Sequence, residues 1–273
     1  MHSPARPAPP DAEPIPVDLL LLAYRAGIFP MSDARDDAEV HWIEPRERAI
    51  IPLDAFRLSR SLAKRIAKER FRVSCDEAFA AVIRECAAPR GDGGSSWISH
   101  RIEASYLALH AEGHAHSVEC WLPGDHGGER LAGGLYGVAF DRVFCGESMF
   151  SRADDASKVA LAWLVASLRR AGFALLDCQF MTPHLATLGA IAMPQARYLD
   201  LLAAARGAPR ASLPQAVSAI VAGVGDGVAG AGDGDGETGA GRRSGASDRP
   251  LETAPSPPSS PGKRIVQSLT QTS

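Results

Sequence analysis

The amino-acid sequence predicts an α+β protein in which helices give way to an antiparallel meander, followed by one more helix and strand. Three observations predict it. Residues 59–113 carry apolar side chains at helical spacing behind Ser and Asp caps, and residues 114–149 are short β-prone runs cut by turn residues. Residues 156–180 then join one long amphipathic pattern to a final apolar strand. The 273 residues can form one large domain or two modest ones, and an apolar fraction of 45% supports a buried core.

Taken in order, residues 1–16 read as a disordered leader, because six prolines remove backbone donors and leave little to bury. Residues 18–26 predict a short helix stopped by Gly27 and Pro30, and 41–52 give extended pieces around Pro45, so 17–54 reads as a small N-terminal subdomain. The main domain is expected over 55–211. Ser59 caps a helix carrying Leu62 and Ile66, Asp76 one carrying Phe79, Val82, Ile83 and Cys86, and Ser99 one carrying Ile102, Tyr106 and Leu109 before Gly113. Strands follow over 114–122, 131–140 and 142–149. Asp154 or Asp155 then starts a helix that Gly172 ends, a strand covers 173–180, and further helix closes the domain. This order resembles the acetyltransferase-like (GNAT) fold. From residue 212 the composition collapses into Gly, Ala, Asp, Ser and Pro, which predicts a flexible tail over 212–273. Its last residues, RIVQSLTQTS, are less biased and suit a docked strand or short helix.

A net charge of −3 confines any nucleic-acid surface to a local patch. Five cysteines, odd in number and without a CxxC pair, argue against a disulfide framework and for a reducing, cytoplasmic setting. The longest apolar run, 19–24, is too short to span a bilayer, and the N-terminus lacks the apolar core of a signal peptide. His114, His116 and Cys120 do not reproduce a zinc spacing, and the Asp-Gly repeats of the tail lack a calcium loop's ligand spacing, so no metal is expected.

Four features carry chemistry. Asp177 and Gln179 lie two apart at the end of the last strand, where alternate side chains share a face and set a carboxylate beside an amide. Such a pair can orient and polarise an amine; it can equally satisfy backbone donors. Glu147 interrupts an apolar strand after Gly146 and needs a cationic or donor partner, from a bound protein or from Arg152. Arg57, Arg60, Lys64, Arg65 and Lys68 form a basic helix face suited to a phosphate backbone, or merely a solvated one. Trp42, Trp97, Tyr106 and Trp121 can stack on unpaired bases or pack two subdomains together.

These residues fall in blocks that resemble, in order, the bacterial leucyl/phenylalanyl-tRNA-protein transferases over residues 17–202. The blocks include Tyr24-Arg25-Ala26-Gly27-Ile28-Phe29-Pro30, Trp42-Ile43-Glu44-Pro45-Arg46, Trp97-Ile98, Gly133-Gly134-Leu135-Tyr136-Gly137, Cys145-Gly146-Glu147-Ser148-Met149-Phe150-Ser151-Arg152 and Asp177-Cys178-Gln179. The resemblance implies a GNAT-like catalytic domain behind a small N-terminal one. It also implies transfer of leucine or phenylalanine, and by extension methionine, from leucyl-tRNA or phenylalanyl-tRNA to proteins beginning with Arg or Lys, which creates an N-terminal degradation signal. No cofactor is implied, and the chain is expected to be a monomer. Carried over by position, Asp177 and Gln179 support attack by the acceptor amine, and Glu147 holds the acceptor's basic terminus. Trp42, Trp97 and Tyr106 contact the terminal adenosine or the acceptor. Leu135, Phe144, Met149, Leu161, Leu164 and Leu176 line the side-chain pocket. On a regular strand Leu176 points away from Asp177, so its place there requires a twist, a bulge or a pocket reaching around the sheet edge. Met31 stands where many relatives have Trp.

Two rivals follow from the same residues. An acyl-CoA-dependent N-acyltransferase shares the element order, but the turn Ser151-Arg152-Ala153-Asp154-Asp155-Ala156 has no glycine and two carboxylates, which disfavours pyrophosphate at that helix start. A non-catalytic tRNA-binding module has no reason to keep Asp177, Gln179 and Glu147 together.

Overall fold

A computed structural model describes residues 13–89, 96–125, 127–224 and 260–271. The chain runs α1 (Val17–Arg25), β1 (Phe29–Met31), β2 (His41–Ile43), β3 (Glu47–Ile51), α2 (Arg60–Ala67), β4 (Arg72–Cys75), α3 (Phe79–Ala87) and α4 (His100–Ala111). The meander β5 (Ala115–Pro123), β6 (Glu129–Phe140) and β7 (Val143–Ser151) follows, then α5 (Ala156–Ala171), β8 (Leu175–Gln179), α6 (Pro183–Thr187), β9 (Ile191–Pro194), α7 (Gln195–Ala204), α8 (Leu213–Ala222) and α9 (Pro261–Thr270). One seven-stranded sheet orders these strands β4-β5-β6-β7-β8-β3-β9, and β1 and β2 form a separate antiparallel pair. β8 lies parallel to β7 after the α5 crossover, while every other ladder is antiparallel. Meander, crossover helix and parallel strand are the order expected of an acetyltransferase-like α+β domain.

Strand alternation divides the apolar residues between two faces. Leu135, Phe144, Leu176 and Ile51 face α5, whereas their neighbours Tyr136, Cys145, Leu175 and Ile50 face the side of α1, α3, α4 and α7. Ser59 and Ser99 cap α2 and α4 as expected, each accepting the N–H three residues on.

Five sequence expectations change. The 17–54 subdomain is smaller, because β3 is an interior strand paired to both β8 and β9, leaving α1, β1 and β2 outside the large sheet. β4 was hidden among the helices, since four residues are too short to show alternation. Asp76 does not cap α3; its carboxylate accepts from Ser117 N and pairs with His116 of β5. Within the expected leader, Ile15 is buried and its N–H donates to Ser105 Oγ, while residues 1–12 lie outside the described residues.

The fifth change concerns the tail. Leu213–Ala222 form helix α8, with a Ser212–Gln215 capping box and Gly223 in the left-handed C-cap, burying Leu213, Val217 and Ile220. Helix α9 docks beside it through Ile265 and Leu269. Together they cover the outer side of α5, which is why that helix is buried almost all round rather than amphipathic. The Gly/Asp-rich stretch 225–259 lies outside the described residues.

Candidate active site

Strands β7 and β8 pair only as far as Cys145 and Asp177, then diverge. β7 continues with β6 to Ser151, while β8 stops at Gln179. The gap between them opens a cavity of about 490 Å³.

Two bulges flank the gap at the same level. In the β6–β7 ladder Gly137 pairs with Gly146 and Tyr136 with Ser148, so Glu147 is the extra residue. In the β3–β8 ladder Ile50 pairs with Asp177 and Ala49 with Gln179, so Cys178 is the extra one. A bulge re-aims the side chains around it. Gln179 completes the turn with φ +56°, a backbone conformation uncommon for a residue with a side chain. Gly137 permits the arrangement, since a Cβ there would overlap the Cys145 carbonyl and the Phe144 ring.

The cavity therefore passes through the sheet. On the α5 side its wall is Leu135, Met149, Leu161, Leu164, Leu176 and Leu185; on the other side it meets Tyr136, Glu147, Ser148 and Gln179, with Phe29, Met31 and Trp97 beyond. Leu176 lines it without a twist, because the space reaches both faces.

Asp177 and Gln179 share a face of the sheet, as their spacing predicts, but only Gln179 reaches the cavity. The Asp177 carboxylate is wholly buried on that face, gripped by Arg48, whose Nε donates to Oδ1 at 3.0 Å and Nη2 to Oδ2 at 2.6 Å. Tyr198 Oη donates to Oδ2 at 3.0 Å and Cys145 Sγ at 3.4 Å, while Oδ1 accepts the Gln179 backbone N–H at 2.9 Å. The Arg48 guanidinium sits between the rings of Phe29 and Tyr198 and donates to the Gly27 carbonyl. Burial works against its charge, and Asp177 more than offsets that, so its pKa stands above the ordinary value. Each oxygen of Asp177 is occupied, and its bond to the Gln179 N–H fixes the left-handed turn. It positions the site without lining it.

Glu147 contrasts with it. Oε1 accepts from Tyr24 Oη at 2.8 Å and from Gln179 Nε2 at 3.0 Å, and Oε2 from Tyr106 Oη at 3.1 Å. The Tyr24 and Tyr106 hydroxyls also lie in short contact, so that their two protons are shared among three links. No cation is among these partners; Arg152, the internal candidate, pairs with Glu85 instead. Burial pushes the Glu147 carboxyl up to about 8, the Tyr24 hydrogen bond opposing this and the nearby Asp177 charge adding to it. Burial, then Glu147, likewise raises the phenols of Tyr24 and Tyr106, so both remain donors.

Of the nine residues expected at the substrate, Trp97, Leu135, Met149, Leu161, Leu164 and Leu176 line the cavity. Three do not. Trp42 is 43% exposed on β2, opposite Pro30; Tyr106 is buried behind Glu147; and Phe144 is a core residue beneath Gly137. The sequence reasoning missed Tyr24, Arg48, Tyr198, Tyr136 and Ser148. Arg48 had one signal, a charge set in the apolar run Ala49-Ile50-Ile51.

On α2, Leu62 and Ile66 are buried and Arg60, Lys64 and Lys68 exposed. Arg57 is exposed beside α6, its N–H bonded to the Leu188 carbonyl, and α6 carries His184 and Leu185 of the cavity wall. Arg65 departs from the basic face: its Nε pairs with Asp155 at 3.1 Å and its Nη1 donates to the Asp154 carbonyl. Asp155 also pairs with Lys158, so the start of α5 is occupied by a carboxylate and its two cations. Burial raises the pKa of the Cys145 and Cys178 thiols, which argues against a thiolate nucleophile here.

An acetyltransferase-like sheet, split at its parallel pair by a cavity with one apolar and one acidic lobe and, among the described residues, no activated thiol at the gap, is the framework of a direct acyl-transfer enzyme. The chain matches the description "Leucyl/phenylalanyl-tRNA protein transferase" over residues 50–203 and that family's N-terminal domain over 14–46. A protein of that name from Novosphingobium aromaticivorans is 58% identical over 262 residues, covering 95% of this chain and 97% of the other. A second, from Rhizorhabdus wittichii, is 57% identical over 190 residues, 70% of this chain and 75% of the relative. The chain belongs to the leucyl/phenylalanyl-tRNA-protein transferase family. Among solved structures, FemX overlays with a TM-score of 0.45 at 13% identity, over 65% of this chain and 66% of that one.

Proposed function

We propose that this chain transfers leucine or phenylalanine, and by extension methionine, from its tRNA to the α-amino group of proteins that begin with Arg or Lys. The single observation that carries the reading is the through-sheet cavity, with a leucine-lined lobe on one face and Glu147 on the other. The aminoacyl side chain occupies the apolar lobe, where flexible Met149 suits both a branched and an aromatic group. The acceptor's cationic side chain lies toward Glu147, and Trp97 at the rim stacks on the terminal base.

An aminoacyl ester is already activated, so positioning and charge stabilisation suffice. With Gln179 Nε2 donating to Glu147, the amide oxygen is left to accept an N–H of the attacking amine. The C–N bond forms as the C–O bond to the ribose breaks, and the amine's proton ends on the ribose oxygen. Asp177 holds Gln179 in place through its backbone N–H. The exposed cations Arg57, Arg60, Lys64 and Lys68 guide the tRNA acceptor stem toward the α6 side of the cavity. The product carries an N-terminal degradation signal, and the protein works as a cytoplasmic monomer; among the described residues no helix is long and apolar enough to cross a membrane.

The test is transfer of labelled leucine from purified leucyl-tRNA to peptides differing only in an N-terminal Arg or Ala, with acetyl-CoA as a parallel donor. Label on the Arg peptide alone is the expected result. Label only from acetyl-CoA moves the chain to the CoA-dependent acyltransferases, and none from either leaves a binding module.

A further inference from the structure

Two hydroxyls in the cavity wall are not used by the reaction as described. Tyr136 Oη and Ser148 Oγ are both buried, and neither has a hydrogen-bond partner. The two residues are directly opposed on β6 and β7, so their side chains share one face of the sheet, immediately beside the Glu147 bulge. Both line the cavity. The Tyr136 ring packs edge-on at 5.5 Å against Tyr106, whose own hydroxyl donates to Glu147.

A buried hydroxyl without a partner lowers stability, and Phe or Ala would remove that cost at almost unchanged shape. Counting lone pairs suggests why the hydroxyls are kept. A carboxylate offers about four acceptor positions. Tyr24, Gln179 and Tyr106 already fill three of those on Glu147. A guanidinium brings about five N–H donors and an ammonium about three, so Glu147 alone cannot satisfy either once it leaves water.

We infer that Tyr136 and Ser148 are specificity-determining residues, their hydroxyl oxygens joining Glu147 to receive the N–H groups of the acceptor's basic side chain. The inference rests on the reading of Glu147 as the acceptor's site. A guanidinium, with more donors to place, depends on the two hydroxyls more than an ammonium does.

The test uses the full-length chain, leucyl-tRNA and peptides beginning with Arg, Lys or Ala, comparing wild type with Tyr136→Phe and Ser148→Ala. Each variant is expected to melt at or above the wild-type temperature. Its KM for the Arg peptide should rise about tenfold, and for the Lys peptide less, with kcat and the KM for leucyl-tRNA unchanged. An unchanged KM for both basic peptides overturns the inference. So does a lowered melting temperature with equal losses on all three peptides, the mark of a structural role. If the wild-type chain itself does not prefer Arg over Ala, the reading of the acceptor site fails first; if it does and the variants keep that preference, only the roles of Tyr136 and Ser148 fall.

Discussion

Asp177 and Glu147 lie at the same level on neighbouring strands, both among apolar residues, yet their surroundings differ in kind. Asp177 has a guanidinium in bidentate contact, a phenol, a thiol and a backbone N–H. Glu147 has two phenols and an amide, all neutral. The first site is electrically closed, whereas the second holds a carboxyl pushed up to about 8 and awaiting a cation. On the proposed function the difference separates a residue that fixes geometry from one that meets a ligand; burial alone does not identify a catalytic acid.

The sharpest way to break the comparison is to empty the closed site. Asp177→Ala leaves Arg48 buried without a counter-charge, and urea unfolding should show a loss of about 3–5 kcal/mol. A variant of native stability would make Asp177 available to substrate after all. Glu147→Gln should do the opposite, sparing stability while cutting kcat/KM for an Arg peptide by about 100-fold, the scale of losing one partner of a buried ion pair. Equal losses in the two variants, by both measures, would dissolve the distinction.

The two sites also differ in response to pH. Because the folded-state pKa of Glu147 is raised from 4.5 to about 8, the folded chain holds this proton where the unfolded chain has lost it. Its contribution to stability is complete below about 4.5 and is lost as pH rises to about 8, so wild type should lose stability relative to Glu147→Gln across that range. As pH rises through about 8, where Glu147 ionises in the folded chain, the KM for a basic peptide should fall in wild type and stay flat in Glu147→Gln. Parallel profiles in the two proteins would place the titrating group elsewhere. The smallest effect on either carboxylate is expected from reversing Arg60 and Lys64 to Glu. That double variant should keep its stability and its KM for the peptide but bind leucyl-tRNA more weakly and with a shallower salt dependence; an unchanged salt slope would remove α2 from the tRNA surface.

Much of the fold was legible because its signals are local. The caps Ser59 and Ser99, the alternation of the meander and the stop at Gly172 each act within a few residues. The capping box Ser212–Gln215 was equally local, yet the biased composition around it concealed the helix. In the site, the leucines and Met149 were named by position through the family resemblance, while Phe144 and Tyr106, carried over in the same way, proved to be core. Arg48 and Tyr198 could not be paired with Asp177 in advance, since 129 and 21 residues separate them along the chain.

What the sequence determined by itself was the order of elements, the chemistry available at the gap and the family, all of which depend on residue types in fixed order. The tertiary structure decided which carboxylate has a cation bound to it and which has only neutral donors. Two extra residues, Glu147 and Cys178, each shift a ladder by one, and a strand's side chains change face with every single step. A bulge exists only between two strands, so no single strand's sequence specifies it. Those bulges bring Gln179 to Glu147, while Asp177, on the same side of the sheet, stays locked against Arg48.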